Sequence, residues 1–440
     1  MLPTDITFAP NGNFYFVDWV VGWPKSNQGR IYSVTPKHPS IEAQALVTEV
    51  KALIGGGIKT SSDESLLGLL SHQDQRVRLR AQFEVVARGP QHIEALQQLA
   101  LDTAANQLGR IHAIWALGQL YPQSNTAFDS FDQLLVDADS EIRAQTAKMI
   151  GDHDHQALAA TLPEMLRDDA ARVQFFAAQS LGKLGNPAVA EDLLELIRRN
   201  DNADKYLRHA AFHALSLLKP MGALMAAETD DSAAVRLGVL LAYRKMNEAR
   251  IANFLSDADP FIVREAALAI NDAPVNAAMP ALAAMLGQGD LEDEALQLRI
   301  INARHRLGRP EDAVALAAYA ASNRVPREFR REALTQLADW PEPFQRDRLV
   351  GVYRPLPFRD AGPAIAALED QLDLLLADSS YFVKRAVMGA IRELKVTAAT
   401  PKVRALLASS DESGEVRAEA LTLLDDLDDA QILDVVRLAG

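Results

Sequence analysis

Apolar residues fall into two patterns along the chain. In the first 36 residues they alternate or cluster in short runs between turn formers. Ile6 and Phe8 alternate with polar neighbours, Pro10-Asn11-Gly12-Asn13 is a turn signal, and Phe14-Tyr15-Phe16-Val17 is a β-type run. Arg30-Ile31-Tyr32-Ser33-Val34 follows a loop that ends at Gly29. The pattern predicts three short strands within residues 5–34. They are too few to hold a core of their own, so the segment is expected to cap the first helices behind it. From residue 63 to residue 440 the spacing is helical almost throughout and the composition is rich in Ala and Leu. Residues 37–62 read as a linker helix and a Gly-rich hinge between the two regions.

The helical region repeats itself. An apolar residue is followed by a basic or polar marker and then by a small residue, as in Val77-Arg78 with Ala81 and Val173-Gln174 with Ala177. The markers are Arg78, Arg110, Arg143, Gln174, Arg208, Arg236, Arg264, Arg299, Arg330, Lys384 and Arg417. Leaving out the one step of 54, their mean step is about 32 residues, a period that belongs to stacked helix pairs. The expected fold is mainly α, a solenoid of about eleven pairs with a short N-terminal antiparallel β segment. Val77, Ile142, Val173, Val235, Val263 and Val416 precede markers and are expected in the core. Asp74, Asp139, Asp204, Asp231 and Asp259 stand where a side-chain oxygen can cap the second helix of a pair. The markers are read mainly as ties between repeats.

Carried by these residues, the span 63–440 resembles HEAT repeats, specifically the short repeats of bilin-lyase-like proteins. The front end resembles something else. Asp5 to Trp19, with Gly22-Trp23 and Gly29-Arg30-Ile31-Tyr32, looks like the last blade of a sugar-dehydrogenase-like β-propeller. A propeller leading into HEAT repeats is similar to a multidomain membrane-bound dehydrogenase family of planctomycetes and verrucomicrobia. There a haem-binding cytochrome c domain follows. Trp340-Pro341, Arg346-Asp347-Arg348 and Tyr353-Arg354-Pro355-Leu356 look like a segment of those arrays. The resemblance implies an extracytoplasmic setting. The earlier blades and any Cys-x-x-Cys-His are absent from this sequence, so the family's redox activity is not carried onto its residues.

Composition narrows the chemistry. There is no cysteine, which excludes disulfides, thiolate zinc sites, cysteine nucleophiles and covalent c-type haem within the chain. Asp and Glu outnumber Lys and Arg by 59 to 45, giving a formal charge of −14. That balance argues against nucleic-acid binding. No apolar run is long enough to cross a membrane, and the N-terminus does not read as a signal peptide, which makes the cytoplasm the default location. Nucleophile-elbow, zinc-protease and dinucleotide motifs are missing. Gly55-Gly56-Gly57-Ile58-Lys59-Thr60 lacks the spacing of a phosphate loop and reads as the hinge.

His209 and His213, four residues apart, are the weak metal candidates, with packing histidines as the stronger reading. His153 and His155 lie in a stretch that reads as a solvated loop. Trp19, Trp23 and Lys25 form an aromatic–basic loop expected to cover the first helices, with Asp18 a turn residue. The longest marker step, about 54 residues between Arg330 and Lys384, contains a Pro- and Arg-rich insertion at 340–360. Trp340, Phe344, Tyr353 and Phe358 are expected to anchor it. Arg346, Arg348, Arg354 and Arg359 alternate with Glu342, Asp347 and Asp360. Some of these charges should pair internally, and the rest should form a basic patch. Trp340, Arg346, Arg348, Tyr353, Arg354 and Arg359 are therefore the candidate partner-binding residues.

The reading that results is a non-catalytic scaffold, without cofactor, that binds a protein partner or a neighbouring domain. The alternative is the middle of an extracytoplasmic oxidoreductase whose catalytic parts lie elsewhere. A nucleic-acid-binding repeat protein is the third and least favoured class.

Overall fold

The computed structural model describes residues 3–19, 27–288 and 292–432. Strands β1 (Pro3–Phe8), β2 (Phe14–Trp19) and β3 (Gly29–Val34) form one antiparallel sheet in the order β1-β2-β3. Ile6 faces Phe16 and Phe16 faces Tyr32. Opposed residues share a face, so Ile6, Phe8, Phe14, Phe16, Tyr32 and Val34 line one side. Phe8 and Phe14 stand 5.2 Å apart, and Phe16 stacks on Tyr32 at 4.8 Å. The sheet does not cap the repeats with this face, because Ile6, Phe8 and Val34 all remain exposed. It touches the helices by the end of its first hairpin. Gly12 sits against Val47, and the Phe8 carbonyl accepts from Arg76 Nη1 at 2.9 Å. The side chain of Trp19, and Trp23 and Lys25 altogether, lie outside the described residues.

Ser40 caps the helix Ile41–Ala52, and a π-helical turn at Leu53–Gly57 follows. Gly56 adopts φ 137°, a backbone conformation open to glycine, so the Gly-rich stretch is an ordered bend.

Beyond it the chain is helical. Within each of two compact units, Met1–Leu218 and Lys219–Gly440, the second helices of the repeats stack on one another. In order they are Gln75–Arg88, Gln107–Leu120, Ser140–Asp152, Ala171–Leu184 and Lys205–Leu218, then Ala233–Met246, Pro260–Asp272, Glu294–Leu307, Arg327–Ala338, Tyr381–Leu394 and Gly414–Asp426. The first helices are more variable, from four residues at Phe131–Leu134 to fifteen at Gly362–Leu376. The chain divides into two compact units, Met1–Leu218 and Lys219–Gly440, a boundary that the repeat spacing does not mark.

The third residue of each second helix is the recurrent core position. Val77, Ile142, Val173, Leu207, Val235, Ile262, Leu296, Phe329, Val383 and Val416 occupy it, and all are buried. Val263, expected there, is only half-buried. The marker series slips at that repeat: Arg264 and Arg299 are the fifth and sixth residues of their helices, whereas the other markers are the fourth. Ile262 and Leu296 take the core places instead. Asp74, Asp139, Asp204 and Asp259 cap their helices as expected. Asp231 does not, because Ser232 supplies the capping oxygen to Val235 N–H. Close stacking uses small residues. Ala81, Ala113 and Ala177 are fully buried, and Gly151 lies so close to Ser180 that a Cβ would collide with its backbone.

Candidate partner-binding site

The insertion in the second unit is where repeat logic fails. Helix Arg327–Ala338 ends at Asp339, and Gly362–Leu376 begins after 22 residues that form no helix. Prolines at 341, 343, 355 and 357 keep this stretch out of helical geometry. Its middle folds back on itself. Arg346 bridges Tyr353, flanked by Arg354 N–H to Gln345 C=O at 3.1 Å and Asp347 N–H to Val352 C=O at 2.9 Å. Asp347 Oδ1 closes the turn by accepting from Leu349 and Val350 N–H at 3.0 and 3.1 Å.

An extended hairpin sorts residues by alternation. Asp347 and Arg354 point inward, and Arg346 and Tyr353 point outward. The Asp347 side chain has no exposed surface, and its Oδ2 accepts from Arg354 at 3.1 Å, Asn302 at 3.2 Å and Arg306 at 3.4 Å. Burial works against its charge, but the two backbone amides, Asn302 and Arg354 hold the carboxyl below its usual range. Arg354 also donates to the Asn271 carbonyl at 2.8 Å, which ties the hairpin to two repeat helices. Trp340 is the buried anchor, 1% exposed. Arg359 lies over its ring at 4.8 Å, packs against Gly308, and donates its backbone N–H to Pro341 C=O. Burial, then the nearby Arg306, lowers the Arg359 pKa. His305 meets the edge of the same indole. Burial, then Arg359, Arg348 and Arg306, push the His305 pKa down to about 3.

The six candidate residues therefore separate. Trp340, Arg354 and Arg359 build the interior of the insertion. Arg348 pairs with Glu332 at 3.1 Å and Asp339 at 2.8 Å. Only Arg346 and Tyr353 face out. Phe344, Tyr353 and Phe358, expected as anchors, do not bury their rings. Phe344, Tyr353 and Phe358 are 59%, 68% and 75% exposed. In place of the expected basic patch the insertion exposes three aromatic side chains and one outward guanidinium, because alternation turns Arg354 inward and carboxylates hold Arg348.

The histidine pairs are packed by aromatic rings. His209 is exposed and His213 half-buried, their rings 5.8 Å apart, with Phe212 edge-on to His209. Among the described residues no group of three or more His, Cys, Asp or Glu side chains is placed to hold a metal ion. His153 and His155 pack edge-on to Tyr121 and Phe128 instead of lying in a solvated loop, and burial lowers both pKa values.

The repeat ties involve residues that the marker pattern did not single out. Arg110 pairs with Asp137, Arg143 with Asp168, Arg236 with Asp257 and Arg330 with Asp378. Each acid belongs to the loop before the next second helix and stands two residues ahead of its N-cap position. In three of the four the motif is Asp-x-Asp or Asp-x-Ser, the legible signal, and in the fourth it is Asp168-Asp169-Ala170. The same acids accept from the backbone N–H two residues on. These four markers thus reach forward to the next repeat and not to their own caps, whereas Arg299 reaches back to Asp272 of the preceding helix.

Stacked second helices, a fixed core position and forward Arg–Asp ties are the features a repeat family would share. Residues 129–216 match the family model for HEAT repeats. No curated protein matches the chain as a relative. Among solved structures it resembles HEAT-type solenoids at the level of fold. Kap121p bound to Nup53p is 12% identical with a TM-score of 0.52, covering 91% of this chain and 50% of that one. Kap121p bound to the extreme C-terminus of the protein phosphatase Cdc14p is 13% identical with a TM-score of 0.50 and the same coverage. The CpcE–CpcF complex of phycocyanin lyase from Nostoc sp. PCC7120 is 17% identical over 65% of this chain and 96% of that one, with a TM-score of 0.29. The chain spans about half the length of the Kap121p chains it matches. None of these structures is a dehydrogenase or a propeller, and the propeller resemblance of residues 5–32 rests on the sequence alone. Among the described residues no helix is long and apolar enough to cross a membrane.

Proposed function

We propose that this chain is a non-catalytic HEAT-repeat scaffold, working without a cofactor, whose insertion at 340–360 captures a protein partner. The observation that carries the reading is the outward face of the insertion. Phe344, Tyr353 and Phe358 expose their rings, and the fold beneath them is built to hold them there. Asp347, Arg354, Trp340 and Arg359 fix the backbone from within, so the aromatic face is preorganised and loses little freedom on binding. Three exposed aromatic side chains on one braced insertion fit a partner that brings apolar surface. Arg346, the outward guanidinium, fits a carboxylate at the partner's rim. Kap121p was solved with bound protein partners, which is in keeping with this use of the fold. No observation favours the oxidoreductase alternative.

The test is affinity capture with the intact chain, comparing wild type with Phe344→Ser/Tyr353→Ser/Phe358→Ser. A partner that uses this face should lose about tenfold or more in affinity, with helical circular dichroism and melting unchanged. Val136→Ser, at an exposed apolar residue in the other unit, should leave capture intact. A partner that binds the triple variant as well as wild type would show that the insertion only bridges repeats. Arg354 is left untouched because its reversal would break the buried Asp347 pair.

A further inference from the structure

The N-terminal sheet has two edges, and they are not alike. On β1 two of the outward backbone groups are engaged. Ile6 N–H donates to Asp5 Oδ1 at 2.8 Å, and Phe8 C=O accepts from Arg76. Pro3 and a register break between Pro3 and Asp5 disrupt the rest of that edge. These engaged groups also fix the phase of the ladder. Since Ile6 and Phe8 face away from β2, their opposites Phe16 and Phe14 turn their backbone groups toward β3. There they meet Tyr32 and Val34. Ile31 and Ser33 therefore present their N–H and C=O groups at the outer edge of β3. Among the described residues nothing bonds to those groups. The strand has no Pro and no register break, and its single charge is Arg30. None of the devices that guard β1 guards β3.

We propose that β3 pairs antiparallel with β3 of a second copy of this chain, across a two-fold axis at Tyr32. An axis normal to the sheet keeps each face on its own side, so opposed residues must point the same way. Centring on Tyr32 meets that condition. It sets Tyr32 against Tyr32 of the partner subunit, Ile31 against Ser33 of the partner subunit, and Arg30 against Val34 of the partner subunit. No like charges oppose one another. One open edge per chain closes a pair, whereas two open edges would propagate a fibre. Packing the apolar faces of two sheets together fits less well. Six residues by three strands give a face of roughly 20 Å by 14 Å. That is about 280 Å² against the ~800 Å² per partner of a stable interface. Edge pairing draws on backbone hydrogen bonds instead of area, and the resulting dimer should be weak and reversible.

Analytical ultracentrifugation of the full chain over a concentration series tests this. A monomer–dimer equilibrium is expected. Ile31→Pro removes an outward N–H without touching the β2 ladder, so it should abolish the dimer and leave helical circular dichroism and melting unchanged. Tyr32→Lys and Tyr32→Glu should each be monomeric alone and should form a heterodimer when mixed. Should loss of the Phe16 stack disturb the sheet in those two variants, Ile31→Pro still decides. The proposal is overturned by a chain that stays monomeric at every concentration, by a dimer that survives Ile31→Pro, by charge variants that fold yet do not pair when mixed, or by open-ended oligomers.

Discussion

Asp347 holds two arginines without being exposed itself, and this asymmetry makes a testable contrast. Asp347→Ala would leave Arg306 and Arg354 buried without their shared anion, which costs about 3–5 kcal/mol for a broken buried pair. Arg346→Glu, on the outer side of the same hairpin, should change stability by less than about 0.5 kcal/mol. Urea denaturation of the two variants would measure the difference, and equal losses would contradict the inward–outward sorting. His305 gives the pH dependence at this scale. Its folded pKa is lowered to about 3, so between pH 6.5 and 3 the unfolded chain binds a proton that the folded chain refuses. Stability from this group is present above the unfolded pKa and falls as pH drops, at roughly 1.4 kcal/mol per pH unit. His305→Leu should therefore flatten the fall in melting temperature between pH 6.5 and 5. An unchanged slope would show that His305 is protonated in place.

At the scale of the element, the loops Asp137-Ala138-Asp139 and Asp257-Ala258-Asp259 each carry two acids with different jobs. In Asp137-Ala138-Asp139, the second acid caps by accepting from Glu141 N–H at 2.9 Å. The first accepts from Asp139 N–H and pairs with Arg110 of the preceding repeat, where both side chains are nearly buried. Asp139→Ala should cost about 1 kcal/mol, the ordinary loss of a cap. Asp137→Ala should cost about 3 kcal/mol or more, since it leaves Arg110 buried and unpaired. Equal losses in chemical denaturation would mean that the acid only shapes its loop. The caps were legible in the sequence because capping is local and needs only the right oxygen before a helical run. That the markers tie repeats was legible too, but not which acid each one reaches, because that depends on which loop the next repeat brings alongside. Val263 was misplaced for a related reason: in Phe261-Ile262-Val263, two β-branched residues compete for one core position, and only the helix start at Pro260 decides between them.

For the whole molecule, the repeat period was legible because each helix pair repeats one solution to the same packing problem. The insertion was visible as a long step filled with prolines, but not its sidedness. A loop reading carries no strand register, so Phe344, Tyr353 and Phe358 were placed as buried anchors and Arg354 among the outward candidates, the reverse of what the structure shows. Charge is the remaining property that belongs to the whole chain. Lys and Arg number 45 against 59 Asp and Glu, for a formal charge of −14. Many of those cations are committed: Arg110, Arg143, Arg236, Arg299, Arg330 and Lys384 bind carboxylates of adjoining repeats. A cation so engaged has little left to neutralise a phosphate, and duplex DNA binding draws mainly on such neutralisation. The chain should therefore leave duplex DNA unshifted in a mobility assay at low ionic strength, where electrostatic binding is strongest. A complex that forms there and dissolves as salt rises would reveal a basic surface that the net charge conceals. It would also return nucleic acid to the classes of partner this scaffold serves.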